Sequence, residues 1–210
     1  MERIFNQDGW LYRGLNRLWD LIVLNILFFL TSIPIVTVGA SLSALYTVTL
    51  KGVRKEDSYI VRSYFAAFRE NFKNATLMWL LLLAVWLVWG TDVFVLGKNH
   101  SLLVFLGGIF GTIWLLITLY AFALQAWFEN SLRNTLANAL FVSLKFLPCT
   151  VQLAGMFAAV PALCVMLAVL SPAALGWAAS VFLFCGVSGI AWVTSFPYRK
   201  VFDQLSEKSD

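Results

Sequence analysis

Histidine occurs once in this chain, at His100, and aspartate and glutamate together number 11 among 210 residues. A histidine-based metal site or a Cys/His catalytic pair has almost no material to work with. The three cysteines, Cys149, Cys164 and Cys185, stand inside apolar runs without CxxC spacing and read as small apolar core residues. No phosphate-binding glycine loop, HExxH, GxSxG or kinase-type motif occurs. The basic segment Lys51–Lys55 is too short and too close to apolar chain to argue for nucleic acid. No catalytic residue, metal or cofactor is expected. Met1–Asn16 offers neither an apolar core nor a small-residue cleavage site, so the first apolar run is expected to act as an uncleaved insertion signal. Charge itself is scarce, at 12% of residues, where soluble domains carry about 25%.

What is abundant is apolar chain: 60% of the residues are hydrophobic. They gather in runs at Leu18–Ile33, Ile35–Leu50, Ala75–Leu96, Leu102–Phe128, Leu147–Leu170 and Ala173–Phe196. About 20 apolar residues in a helix cross about 30 Å of hydrocarbon. The runs are continuous rather than alternating, which excludes a β-barrel. The expectation is an all-α polytopic transmembrane helical bundle forming one membrane domain over residues 1–210. The longest polar stretch, Lys51 to Asn74, is too short to fold alone.

Charge favours six spans over five. With six crossings and the N-terminus inside, fourteen of the fifteen Lys and Arg residues lie on the cytoplasmic side. If Ile35–Leu50 does not cross, eleven lie inside and four outside. The first distribution obeys the positive-inside rule better. Six spans with both termini cytoplasmic are therefore expected, the second being short or re-entrant. As a helix its roughly 16 residues rise only about 24 Å.

Leu18–Asn74 is the organising stretch. Pro34 removes a donor and steers Ile33 away from helical geometry, Gly39 permits a tight re-entry, and Thr31, Ser32 and Thr37 can bond the freed carbonyls. A hairpin break is the plain reading, and a broken-helix substrate site at mid-membrane is the sharper one. Downstream, Val61, Tyr64, Phe65, Phe68 and Phe72 follow a helical period, with Arg62, Arg69 and Lys73 opposite. Tyr59–Lys73 is expected to be an amphipathic helix on the cytoplasmic face, lying in the interface or docking on a partner subunit.

Tyr64–Arg69, ahead of the third run, resembles Leu140–Lys145, ahead of the fifth, a faint sign of an internal repeat over about 18–96 and 102–170. Glu129 and Arg133 form an i,i+4 pair in the favoured order. Trp10, Trp19, Trp79, Trp127, Trp177 and Trp192 fall near span ends, as in an aromatic belt. Gly107 and Gly111 make a GxxxG, and Cys185 with Gly189 a small-xxx-small pair, both read as close packing within the subunit. The intramembrane polar inventory is thin. Asp20 is placed to pair with Arg17, and Asp92 lies near the outer end of the third run. Asn25, Gln125 and Gln152 are amides that either bond between helices or line a solute path; a path requires them to converge on one cavity.

Leu24–Phe28, Ser32–Ser41, Ala44–Tyr46, Lys51–Arg54 and Phe65–Phe72 resemble the YesL family of bacterial integral membrane proteins, over roughly the first hundred residues. That family has no established biochemical activity, and its members are frequently encoded beside carbohydrate ABC importers. The resemblance implies a multi-pass protein of the bacterial cytoplasmic membrane that serves as an accessory or scaffold in carbohydrate uptake, with ABC permease subunits as partners beside the lipid bilayer. No site residues carry over from it. The chain lacks the permease coupling-loop pattern, Glu-Ala-Ala followed by Gly. An independent small-solute transporter or channel is the alternative, and a regulatory module has no soluble domain to support it.

The topology has a direct check. A cysteine at Asn99 is expected to react with an impermeant thiol reagent only from outside the cell; labelling solely from the cytoplasmic side overturns the arrangement.

Overall fold

The computed structural model describes residues 10–54, 59–96, 101–128 and 130–207. Every regular element among them is helical: α1 Trp10–Thr31, α2 Val38–Val53, α3 Ile60–Leu96, α4 Ser101–Trp127, α5 Leu132–Lys145, α6 Leu147–Leu170, α7 Pro172–Val181 and α8 Val187–Ser206. A 3₁₀ turn, Ile35–Thr37, leads into α2, and a π turn, Phe182–Gly186, joins α7 to α8. Among the described residues, six stretches are long and apolar enough to cross a bilayer, the sixth being α7, the π turn and α8 taken together. The tip at Lys98–His100, Lys55 and the Glu129 partner of Arg133 lie outside the described residues.

The shortest apolar stretch turns out to be the hub. α2 packs against α1, α3, α4 and α8, and 56% of its span is buried, against 6% for α6. Its modest hydropathy, which made it the doubtful crossing, has a packing cause. Ser41, Ser43 and Thr49 are buried small polar residues. The Ser41 and Thr49 hydroxyls donate to carbonyls of their own helix, at Thr37 and Tyr46, so neighbouring backbones can approach closely.

α1 stops at Thr31, three residues before Pro34, whose φ of −75° and ψ of 115° are extended. After the turn, Gly39 brings α2 onto α3. A Cβ there would overlap the Ala75 carbonyl oxygen and stand 2.5 Å from Trp79 Cβ. Pro34 and Gly39 thus hold the hairpin positions expected of them.

The amphipathic segment is helical from Ile60 but is not a separate helix. α3 runs unbroken for 37 residues, about 54 Å, because no Pro or Gly interrupts Ile60–Trp89. Its inward seam is Tyr64, Ala67, Ala75, Met78 and Leu82, all buried. Of the expected apolar stripe, Tyr64 is buried and Phe68 half-buried, while Val61, Phe65 and Phe72 are exposed. Alanines displace the larger aromatics from the seam because they let α2 come close.

The second half does break. α5 ends at Lys145, and the next residue, Phe146, is non-helical, with φ −111° and ψ 49°. Pro148 occupies the first turn of α6, and the Thr150 hydroxyl lies 2.7 Å from the Ser143 carbonyl and 3.1 Å from that of Phe146. Leu140–Lys145 and Tyr64–Arg69 are therefore both helical and both precede a span, but only the former is set off by a proline. Gly107 and Gly111 of α4 face a tryptophan: Trp89 Nε1 donates to Gly107 O at 2.8 Å, and a Cβ at Gly111 would lie 2.6 Å from the Trp89 ring. Gly189, by contrast, faces open space.

Gly39→Val is expected to cost about 1–3 kcal/mol by overpacking, read as a lower unfolding temperature in mild detergent. Gly189→Val is the control, expected to leave that temperature unchanged.

Candidate functional site

Asn25, on α1, is fully buried. Its Nδ2 donates to Leu183 O at 2.6 Å, and its Oδ1 accepts from the Ser188 N–H at 3.0 Å. The Ser188 hydroxyl returns a bond to Leu21 O at 2.7 Å. A π turn slips the i→i−4 ladder by one residue, and Asn25 occupies the place where that slip occurs. Gly186 lets the turn close, since a Cβ there would overlap the Phe182 ring. The sequence gives no sign of the π turn beyond a glycine in an apolar run.

Gln125 is also buried, but in a different network. Its Nε2 donates to Asn71 Oδ1 at 3.3 Å, and its Oε1 accepts from the Thr135 hydroxyl at 2.9 Å, so α4 is tied to α3 and α5. Gln152 is exposed on α6. The three amides do not share a cavity. Asn25 and Gln125 bond between helices, and Gln152 faces outward.

Asp92 is exposed and lines a cleft of about 620 Å³ between α3 and α4, together with Val88, Trp89, Val104, Gly107 and Phe110. Among the described lining residues, Asp92 is the one charged group. Asp20 pairs with Arg17 at 3.7 Å. Among the described residues, no three His, Cys, Asp or Glu residues stand together as a metal-ligand group.

The end of α2 is held by charge. Arg17 of α1 donates to Gly52 O at 3.0 Å, and Arg199 of α8 donates to Val53 O at 2.9 Å. Both bonds place cations where helix carbonyls lack partners and the macrodipole is negative. Arg17 also stacks on Trp192 at 4.2 Å, while Arg54 stacks on Trp127 at 3.7 Å and reaches Asp203 at 3.4 Å. Trp79, Trp127 and Trp192 are thus engaged in packing, whereas Trp19 and Trp177 are exposed. Deeper in, Tyr46, Tyr120 and Tyr198 meet edge to face, and the Tyr198 hydroxyl donates to Leu119 O. The Tyr64 hydroxyl lies 2.7 Å from that of Thr31. These tyrosine contacts are long-range, and nothing in local spacing announced them.

One surface remains after the buried groups are accounted for. Arg62, Phe65, Arg69 and Phe72 are spaced 3, 4 and 3 apart and form one exposed stripe on α3, turned away from the buried seam, so the two arginines flank Phe65 and Phe72 and do not lie opposite them as expected. Phe65 is 39% and Phe72 42% exposed. Phe68 sits between stripe and seam, stacked on Tyr64 and edge-on to Phe72.

Asn25→Leu is expected to destabilise the fold by about 1–2 kcal/mol, the upper range for interhelical bonds in membranes. Gln152→Leu is expected to change it by less than about 0.5 kcal/mol. Thermal unfolding of both variants in the same detergent checks the contrast.

A model of the family described as "Protein of unknown function, DUF624" matches residues 21–93, the stretch that holds the second half of α1, all of α2, the exposed stripe and most of α3. No curated protein and no solved structure matches the chain.

Proposed function

We propose that this protein is a non-catalytic membrane subunit that docks through the Arg62–Phe65–Arg69–Phe72 stripe onto the permease of a carbohydrate ABC importer. In this reading it resides in the bacterial cytoplasmic membrane with both termini inside. The observation that carries the proposal is the stripe itself: aromatic and cationic side chains alternate, exposed, along a continuous helix anchored to α2 by its opposite face. Aromatic residues and arginine are the types enriched at protein interfaces. The buried amides support the same reading, because Asn25 and Gln125 are committed to bonds between helices. The carbohydrate importer as partner rests on the resemblance of Ser32–Ser41 and Phe65–Phe72 to the YesL family. The Asp92 cleft favours a second reading, in which the protein binds a small solute itself.

The test is mild-detergent purification of a tagged chain from its native membrane, followed by quantitative mass spectrometry. A carbohydrate ABC permease is expected in near-stoichiometric amount, and lost in Phe65→Asp/Phe72→Asp while the chain's own yield and unfolding temperature hold. Purification without importer subunits, or recovery indifferent to the double variant, overturns the docking reading.

A further inference from the structure

The α1–α2 hairpin turns at residues 32–37, and the carbonyls of Thr31, Pro34 and Ile35 are answered from within the protein, by Thr37 and Trp79 and not, as expected, by Ser32, whose buried hydroxyl has no partner among the described residues. The Thr37 hydroxyl lies 2.6 Å from Thr31 O and 2.8 Å from Pro34 O, and the Thr37 N–H donates to Pro34 O at 2.9 Å. Trp79 Nε1, from α3, donates to Ile35 O at 2.9 Å. Outward from the same turn project bare aliphatic side chains, Ile33 74%, Ile35 69% and Val36 49% exposed. No Asp, Glu, Lys or Arg occurs from Leu21 to Leu50. Turns in water leave their carbonyls to the solvent and carry polar side chains. Internal bonding combined with an aliphatic exterior is what hydrocarbon demands.

α3 supplies a ruler. The turn meets α3 at Trp79, and α3 continues to Leu96, another 17 residues or about 25 Å. The hairpin turn therefore stands far short of the outer end of the helix it packs against. The charge distribution is the same whether or not the turn emerges, because the turn has no Lys or Arg.

We propose that this turn is a lipid-facing surface: Ile33, Ile35 and Val36 lie among acyl chains, and α1 with α2 forms a re-entrant hairpin. Its turn stops inside the hydrocarbon instead of emerging into water on the far side. Four crossings then remain: α3, α4, α6 and the joined α7–α8.

The test uses the full chain with Cys149, Cys164 and Cys185 replaced by alanine, reconstituted in phosphatidylglycerol–phosphatidylethanolamine vesicles. A nitroxide is attached at Ile33→Cys or Ile35→Cys, and its collisions with oxygen and with a water-soluble nickel chelate are measured. Leu87→Cys, exposed on the apolar part of α3, is the lipid reference, and Lys73→Cys the aqueous one. High oxygen and low nickel accessibility, as at Leu87→Cys, is expected. Nickel accessibility matching Lys73→Cys overturns the proposal by placing the turn in water. Low accessibility to both overturns it by showing that protein, such as a second copy, covers the turn. If either variant fails to insert, Val36→Cys is read by the same criteria.

Discussion

The contact between Gly39 and the Ala75 carbonyl sets where α2 can lie, and α2 positions the helices around it. Lipid tails are as apolar as leucine, so helices in a membrane gain little from hiding apolar surface from one another. Close backbone approach and polar bonds must supply the association instead. α2 is furnished for both. Gly39, Ala40, Ser41, Ser43 and Ala44 are small and buried at its start, Tyr46 meets Tyr198 near its middle, and two arginines hold its final carbonyls. Contact at the start, middle and end fixes a helix of only 16 residues against α1, α3 and α8.

That arrangement explains what the sequence disclosed and what it withheld. Continuous apolar runs locate the spans because the length of hydrocarbon is a simple requirement. The hairpin break was legible as well, since Pro34, Gly39 and the flanking threonines act through local stereochemistry. α2 was harder to read. Hydropathy measures fitness for lipid, and a helix enclosed by other helices has no need of it, so the most buried apolar stretch looked the weakest.

The phase of α3 shows the same effect. In a lone amphipathic helix an aromatic stripe marks the face that is hidden, but where a second helix must come close, small residues take the seam and the large ones are left outside it. Ala67 and Ala75 carried the signal that Phe65 and Phe72 drew away. The amides follow another rule. Asn25 and Gln125 were singled out by chemistry alone, but their partners lie 158 residues away at Leu183 and 54 away at Asn71. No spacing rule reaches so far, and the outward position of Gln152 was equally hidden. The π turn is a matter of hydrogen-bond register, which composition does not encode.

The unbroken course of α3 has a mechanical meaning. A rod about 54 Å long is held by α2 at Tyr64 and Ala75 and by α4 at Asn71 and Trp89. It carries Phe65 and Phe72 towards one end and Trp89 and Asp92, which line the cleft against α4, towards the other. Stripe and cleft are thus built on one unjointed helix and share its orientation. The counterpart, α5 followed by α6, is divided at the non-helical Phe146.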